Sequence, residues 1–334
     1  MQMLNRVKGS IDMFSRILLL LVLFVALTII RPGSFLTADN LSTVIFQQAP
    51  FTILMSFGMG MAIITKGIDK SMASVMIFST VMSANFFKNE QYLVGFLVAM
   101  AIGIGCGFLN GVLITQVGVA PFIATFGIDF VASGMAYVVY TGTYVYAFPE
   151  EFRALTNGTL IPGLPNVALI TILVFLILWF LTRKTIFGRG LYSAGFNFEA
   201  TRLSGINARR TVTIVYCING ALAALTGILY MARLNAADPG SSGSLTLDSM
   251  AAALIGGISF GGGKGSVTNA IIGALIIVFI RNGMNLMNIS INWQSVVIGL
   301  VIIISIFYES FIEKIKVHMM NSEMKKLKGA GEHD

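Results

Sequence analysis

Charged side chains are scarce in this chain. They make up 11% of its 334 residues, whereas apolar residues make up 56%. An average soluble domain carries about 25% charged residues. So few charged side chains cannot cover a surface that faces water, and the composition therefore excludes an ordinary soluble domain.

Histidine and cysteine are also scarce, with two residues of each. His318 and His333 both lie near the C-terminus, and Cys106 and Cys217 lie in apolar segments without the spacing of a metal site. The sequence has no HExxH motif either. An enzyme that works inside a bilayer needs a nucleophile, a base or metal ligands facing one another. These absences therefore argue against catalysis by this chain.

A phosphate-binding loop is missing as well, although one stretch suggests it. The sequence "GGISFGGGKGS", residues Gly256–Ser266, contains a Gly-Lys pair. A phosphate loop needs glycine five places before that glycine and Ser or Thr after the lysine. The chain has Ile258 and Gly265 at these two positions. We therefore predict a glycine-rich cytosolic turn between two spans, and no nucleotide site.

What the chain does have is a series of apolar runs of the length that crosses a bilayer. We predict an all-α integral membrane protein with about ten transmembrane helices, formed by a transmembrane domain over residues 1–316 and a basic cytosolic tail over residues 317–334. The predicted spans are Ile17–Ile30, Pro50–Thr65, Ser71–Phe87, Tyr92–Ile114, Pro121–Tyr140, Val167–Leu181, Val212–Met231, Leu247–Ile258, Val267–Ile280 and Val296–Tyr308.

The basic residues predict the orientation of these spans, because cytosolic loops of membrane proteins are enriched in Lys and Arg. If both termini are cytosolic, most of the 22 basic residues fall inside, and those outside are Arg31, Lys88, Arg153, Arg233 and Arg281. The net charge of +7 reflects the same bias, so it indicates no nucleic acid partner. The basic tail is expected to touch anionic membrane lipid.

Two stretches of the sequence are similar to each other. "GIDKSMASVMIFSTVMS" opens the third span and "LTLDSMAAALIGGISF" opens the eighth. They predict an inverted repeat that relates helices 2–5 to helices 7–10, an arrangement typical of transporters. Because unpaired N–H groups at helix N-termini favour anions and polar ligands, we predict that Asp69, Ser71, Asp248 and Ser249 border a solute path. The alternative is that these residues only cap their helices.

Asp129, in "FGIDFVASG", is an acid placed within a predicted span. An ionisable residue inside a membrane is a functional candidate. Asp129 can pair with another side chain of the bundle, or it can contact a substrate on the path. In either case the sequence favours movement of a solute over its chemical conversion, so we expect no enzyme activity.

The longest predicted cytosolic connection, Thr182–Thr211, contains a candidate short helix. Asn197 can cap this helix at Phe198, and Gly205 can end it after Leu203. A polar, basic helix on the cytosolic face suits the docking of another subunit. The alternative is a helix that lies on the membrane surface.

Several of these stretches resemble a known family. "FGRGLYSAGFNFEATRLSGINARR", "LNAADPGSSGSLTLDSMAAALIGGISFGGGKGSV" and "RNGMNLMNISINWQSVVIGLVIII" are similar to the membrane permeases of ribose-type, or simple-sugar, ABC importers. These permeases share a superfamily with branched-chain amino acid permeases. "FLTADNLSTVIFQQAP" and "GVAPFIATFGIDFVASG" also resemble family segments, so the likeness runs from about Phe35 to Tyr308.

The resemblance implies a permease subunit in a bacterial plasma (inner) membrane, with several partners. These are cytosolic ABC ATPase subunits, an extracytoplasmic solute-binding protein and a second permease copy, identical or related. ATP would be used by the ATPase, and this chain would bind no cofactor. The family's coupling helix, which docks into the ATPase, would lie at Glu199, Arg202 and Gly205. Phe196, Phe198 and Leu203 are then the expected apolar anchors.

Two residues depart from the family pattern. Where the family has "GIDLSVGS" this chain has "GIDKSMAS", which puts Lys70 in place of an apolar residue, and Asp129 lies in a stretch that is usually less acidic. The solute therefore stays open among ribose, other pentoses, hexoses, a furanosyl signalling molecule, nucleosides and branched-chain amino acids. An ion-coupled secondary transporter is the alternative mechanism.

Overall fold

The computed structural model of the chain describes residues 2–139, 145–242, 244–307 and 311. The predicted tail over residues 317–334 lies outside these residues. The described part is mostly helical, and its helices are α1 Gln2–Ile30, α2 Pro32–Phe35, α3 Ala38–Ser42, α4 Ala49–Ile64, α5 Met72–Lys88, α6 Tyr92–Val112, α7 Pro121–Val139, α8 Glu150–Asn157, α9 Asn166–Lys184, α10 Ile186–Phe196, α11 Phe198–Leu203, α12 Ala208–Leu234, α13 Leu245–Ile255, α14 Val267–Leu286 and α15 Ile291–Phe307.

Short irregular elements connect or extend these helices. A π-helical segment, Thr43–Gln48, joins α3 to α4, and a second one, Leu113–Val117, extends α6. A 3₁₀ turn, Pro239–Ser242, precedes α13. Strands β1, Val145–Tyr146, and β2, Ala236–Ala237, form one antiparallel pair.

Among the described residues, six helical stretches are long and apolar enough to cross a membrane, and the chain is therefore a multi-pass membrane protein. They are Ala38–Ile64, Tyr92–Val117, Pro121–Val139, Asn166–Lys184, Ala208–Leu234 and Val267–Leu286. Three shorter apolar helices, Arg16–Ile30, Leu245–Ile255 and Ile291–Phe307, also fall on predicted spans. The predicted span Ser71–Phe87 falls on α5. Tyr140 and Tyr308, the predicted ends of two spans, lie outside the described residues.

Two helices run past the predicted span ends. Helix α12 continues to Leu234 and α14 to Leu286, so Arg233 and Arg281, which we predict on the external side, lie within helices. Both arginines are paired inside the protein. Arg233 donates to the carbonyl oxygen of Gln47, and Arg281 pairs with Asp248.

Helix α4 forms the centre of the molecule. Every residue of Ala49–Ile64 is buried, and α12, α13 and α14 pack around it. By contrast, α6, α7, α9 and α15 carry many exposed large apolar side chains, such as Leu93, Phe130, Leu173 and Ile303. An apolar outer surface around a packed helical core is what a bilayer requires, since lipid offers no partner to polar groups.

Helix α6 packs closely on α12 through a row of glycines. A Cβ added at Gly103, Gly107 or Gly111 would collide with the backbone of α12, because these glycines lie against Gly220, Tyr216 and Thr213. Small residues four apart let two membrane helices approach until their backbones touch. This contact holds α6 and its extension against α12.

Helices α5 and α13 begin side by side and run apart. The backbone N–H of Ala73, in the first turn of α5, donates to Thr246 Oγ1, in the first turn of α13, at 3.1 Å. The far end of α5 packs Phe87 against Phe152 of α8. The far end of α13 leads into the glycine-rich turn 256–266, which bonds to the end of α4. The two N-termini therefore meet within the helix bundle.

Candidate solute cavity and coupling surface

A cavity of about 290 Å³ opens where the N-termini of α5 and α13 meet. Hydroxyl groups of Ser74, Ser133, Ser244 and Thr246 line it together with one ion pair and several apolar side chains. The other lining residues are Lys70, Ala73, Ile77, Asp129, Phe130, Pro239 and Leu247. Small-molecule sites combine an apolar wall with a few placed polar groups, and half-helix N-termini are frequent at transport sites.

The ion pair in this cavity joins Lys70 to Asp129. Lys70 Nζ donates to Asp129 Oδ2 at 3.1 Å, and Ser74 Oγ donates to Asp129 Oδ1 at 2.7 Å. The backbone N–H of Lys70 donates to Thr125 Oγ1, which fixes the start of α5 on α7. The two side chains are 33% and 20% exposed, so the pair faces the cavity. Asp129 is therefore both paired inside the bundle and open to a ligand.

Asp69 and Ser71 lie beside the cavity without lining it. Both side chains are buried, and Asp69 Oδ1 accepts from the N–H and the Oγ of Ser71 at 3.1 and 2.6 Å. Asn219 Nδ2 donates to Asp69 Oδ2, and Asn110 Nδ2 donates to Ser71 Oγ. These bonds tie the turn before α5 to α6 and α12. The geometry gives these two residues a positioning task.

Asp248 and Ser249 are also not among the residues that line the cavity. Arg281 Nε and Nη2 donate to the two carboxylate oxygens of Asp248, each at 2.6 Å. Arg281 Nη1 donates to Gln294 Oε1 at 3.1 Å. Ser249 Oγ donates to the carbonyl oxygen of Thr246. Ser244, which does line the cavity, donates to Asp248 Oδ2. The Arg281 fork therefore holds the start of α13 against α14 and supports the cavity wall indirectly.

Sequence reasoning missed three groups at this site. It noted Lys70 and Asp129 separately but did not pair them, because they are far apart in the sequence and a single chain gives no register between α5 and α7. It assigned Arg281 to the external side of the membrane and did not pair it with Asp248 of α13. It also passed over Thr246, whose hydroxyl joins the two helix N-termini.

The predicted coupling helix forms as α11. Asn197 Oδ1 accepts from Ala200 N–H at 3.0 Å, and Gly205 adopts a left-handed φ of 82° just after the helix. Glu199 and Arg202 form an exposed ion pair of 2.9 Å. The predicted N-cap and glycine stop are thus present.

The apolar residues of this segment divide into two groups. Phe196 and Leu203 are 74% and 82% exposed. Phe198 is instead half-buried against Ala194, Ala208 and Val212 of the same chain. Part of the Phe198 side chain therefore fixes α11 to α12, and its predicted role as an anchor for a partner stays a prediction.

The glycine-rich turn 256–266 joins the α10–α11 connection to the end of α4. Gly263 N–H donates to the carbonyl oxygen of Ile64 at 2.8 Å, and Lys66 Nζ donates to the carbonyl oxygen of Phe196 at 3.1 Å. Gly195 lies so close to Ile64 and Gly263 that a Cβ would collide with their backbones. The turn predicted from "GGISFGGGKGS" is thus a joint between the end of α4, α13 and the α10–α11 connection.

Comparison with known proteins identifies the family. Residues 40–306 match the family described as branched-chain amino acid transport system / permease component. The chain belongs to this permease family. It is accordingly a transport component, and ATP hydrolysis in such systems is done by a separate ATPase chain, so the permease is no enzyme.

Proteins similar to this chain include permease proteins named for several sugars. The D-allose transport system permease protein AlsC of Escherichia coli (strain K12) is 32% identical over 91% of this chain and 93% of its own length. The ribose import permease protein RbsC of the same strain is 36% identical over 87% and 91%. The fructose import permease protein FrcC of Rhizobium meliloti is 28% identical over 90% and 85%. No solved structure matches the chain.

Proposed function

We propose that this chain is the membrane permease subunit of an ABC importer for a simple sugar or sugar-like solute. The observation that carries the proposal is the hydroxyl-lined cavity between two helix N-termini in a chain of this permease family. Hydroxyl and carboxylate groups that surround an apolar wall suit a hydroxylated ring with one less polar face. The sugars in the names of the relatives, D-allose, ribose and fructose, have this chemistry.

We further propose that ten helices cross a bacterial inner membrane with both termini in the cytosol. The divergence of α5 and α13 from a shared N-terminal contact supports an inverted repeat, because two such helices run in opposite directions from one level. In this arrangement the cavity lies near the middle of the bilayer. The solute path then passes Lys70 and Asp129, and Asp69, Ser71, Asp248 and Ser249 hold the helix starts that form it.

Helix α11 is the proposed docking element for the ATPase. It offers two exposed apolar side chains, Phe196 and Leu203, next to the Glu199–Arg202 pair. An apolar centre with a charged rim is typical of a protein interface. The ATPase subunits would use ATP, this chain would bind no cofactor, and an extracytoplasmic binding protein and a second permease copy would complete the importer.

The proposal is tested by uptake in the bacterium that carries the gene. A deletion strain is complemented with the wild-type chain or an empty vector, and uptake of ¹⁴C-labelled D-ribose, D-allose and D-fructose is measured. We expect uptake of at least one sugar that depends on the chain. Because the family description names branched-chain amino acids, ¹⁴C-leucine is the second probe. Uptake of leucine alone would replace the sugar assignment.

The energy source distinguishes an ABC importer from an ion-coupled transporter. Uptake should stop when cellular ATP is depleted. It should continue when an ionophore collapses the ion gradients while ATP is maintained. The reverse result would overturn the ABC assignment and leave the sugar assignment intact.

A further inference from the structure

Lys70 and Asp129 differ from the Arg281–Asp248 ion pair in what they face. Asp248 and Arg281 are 5% and 18% exposed, and their charged atoms are taken up by one another, Ser244 and Gln294. Lys70 and Asp129 are 33% and 20% exposed, and both line the cavity. Ionisable side chains within membrane spans pair with one another or face a water-filled cavity, and they often mark a substrate path, so a pair that also lines a cavity is a candidate ligand contact.

The hydrogen-bonding capacity of the pair is only partly used. Among the described residues, Lys70 Nζ donates one hydrogen bond, to Asp129, and an ammonium group has three donors. Asp129 accepts from Lys70 and Ser74, and a carboxylate has about four acceptor sites. The pair therefore offers a ligand both donors and acceptors within a few ångströms of each other.

The net charge of the pair indicates which ligands fit. Lys70 and Asp129 neutralise one another at 3.1 Å, so the cavity presents no unpaired charge to a solute. Four hydroxyl side chains surround the pair, and Phe130 and Ile77 supply an apolar wall. A charged solute would have to separate the pair. A neutral solute with adjacent hydroxyl groups can bond to both residues at once, because each hydroxyl donates to a carboxylate and accepts from an ammonium group.

We propose that Lys70 and Asp129 form a specificity-determining pair that hydrogen-bonds adjacent hydroxyl groups of a neutral, polyhydroxylated solute in this cavity. The proposal rests on the sugar-permease function above. Phe130 covers the less polar face of the solute ring, and the hydroxyl groups of Ser133 and Ser244 bond to its rim. Selection by the pair adds to any selection made before the solute reaches the membrane.

The first test exchanges the two charges. Lys70→Asp with Asp129→Lys keeps an ion pair between α5 and α7 but reverses the positions of donor and acceptor. Lys70→Leu with Asp129→Leu removes both charges together. Uptake of ¹⁴C-labelled D-ribose, D-allose and D-fructose is measured over a range of concentrations in the complemented deletion strain. The amount of chain in the membrane is measured by immunoblot.

Lys88→Leu is the matched control, because Lys88 lies at the other end of α5, where its ammonium group contacts the Tyr146 ring. We expect the exchanged variant to accumulate normally, yet to change the ratio of kcat/KM between sugars by about tenfold or more, as the loss of placed polar contacts does. The control should keep the wild-type ratios. An exchanged variant that accumulates and keeps the wild-type ratios overturns the proposal, since a purely structural pair tolerates exchange. Such a result leaves the sugar-permease function standing, because that depends on wild-type uptake alone.

A second measurement covers the case in which the charge variants do not accumulate. Ser133→Cys puts a thiol on the cavity wall with the pair intact, in a chain with Cys106→Ala and Cys217→Ala. Inside-out and right-side-out vesicles with the importer are treated with a small methanethiosulfonate reagent. We expect a transported sugar at saturation to slow modification several-fold, whereas L-glucose does not. Equal modification rates with and without the transported sugar overturn the proposal.

Discussion

At the residue scale, Arg281 has the clearest energetic role. Its guanidinium holds both oxygens of the Asp248 carboxylate, and the two side chains lie in the protein interior. Removing one partner of a buried pair leaves the other charge without compensation, at a cost of about 3–5 kcal/mol. Replacing both with apolar residues costs much less. A single variant should therefore lose more stability than the double variant.

We therefore expect Arg281→Leu to lower the midpoint of thermal unfolding in detergent clearly, and to lower the amount of chain in the membrane. The double variant Arg281→Leu with Asp248→Leu should recover most of this loss. The measurement is fluorescence-detected size-exclusion chromatography after heating. If the single and double variants unfold alike, the carboxylate is not the source of the loss.

Asp248→Ala tests the sequence-based prediction that Asp248 touches the solute path. That prediction requires transport to fall more than the amount of chain. The geometry supports a different outcome, because Asp248→Ala frees the Arg281 charge inside the protein. We expect uptake and membrane abundance to fall together. A large loss of uptake at wild-type abundance would return Asp248 to the path.

Glycine is needed at position 205 for its backbone conformation and not for a close contact. Its φ is 82°, and the space that a Cβ would occupy there has no other atom within 4 Å, so a larger residue meets strain but no collision. The left-handed region costs an L-residue about 1–2 kcal/mol, and a β-branched residue is the least tolerant. We expect Gly205→Val to weaken ATPase binding in a pull-down more than Gly205→Asn, since Asn tolerates positive φ. Equal binding by the two variants would show that the helix end does not matter for docking.

At the scale of elements, the exposed side chains of α11 give a sharp test of docking. Truncating buried interface anchors often costs about 2 kcal/mol or more, and rim charges cost less. We expect Phe196→Ala with Leu203→Ala to insert normally, but to lose the ATPase in a pull-down and to lose sugar uptake. Glu199→Gln, at the rim, should have a smaller effect.

Leu160→Ala is the control for this test. Leu160 is 82% exposed, like Leu203, but it lies between α8 and α9, in a connection predicted to be external. Its truncation should leave ATPase binding unchanged. If the double variant binds the ATPase as the wild type does, α11 is a membrane-surface helix and coupling occurs elsewhere.

The joint between α11 and the helix core is testable through Gly195. A Cβ at this position collides with the backbones of Ile64 and Gly263, which rigid elements cannot relieve. We expect Gly195→Ala to separate the α10–α11 connection from α4 and so to lower uptake, while the exposed docking residues stay intact. ATPase activity measured in vesicles should then lose its dependence on solute. Wild-type uptake by this variant would mean that the contact is not used for coupling.

At the scale of the whole molecule, the sequence predicts the membrane class, the helical segments and α11, and it fails where distant residues meet. Apolar length and local caps are properties of one segment, so Asn197 and Gly205 could be recognised. The Lys70–Asp129 pair, the Arg281–Asp248 fork and the Thr246 contact each join residues from different helices. No periodicity within one helix reports such contacts. The same limit applies to Arg233, whose guanidinium donates to the carbonyl oxygen of the distant Gln47.

Helices α5 and α13 are expected to run toward opposite faces of the membrane. Their N-termini meet at Ala73 and Thr246, and their far ends lead to Lys88 and to the turn that contains Lys264. If the two helices are related by an inverted repeat, these lysines lie on opposite sides of the membrane, with Lys264 in the cytosol beside α11. In a chain without cysteine, Lys88→Cys should react with a membrane-impermeant maleimide on intact spheroplasts. Lys264→Cys should react only after the membrane is permeabilised. Reaction of both thiols from the same side would rule out the inverted repeat, because no arrangement of two oppositely directed helices with a shared starting level places both far ends on one face.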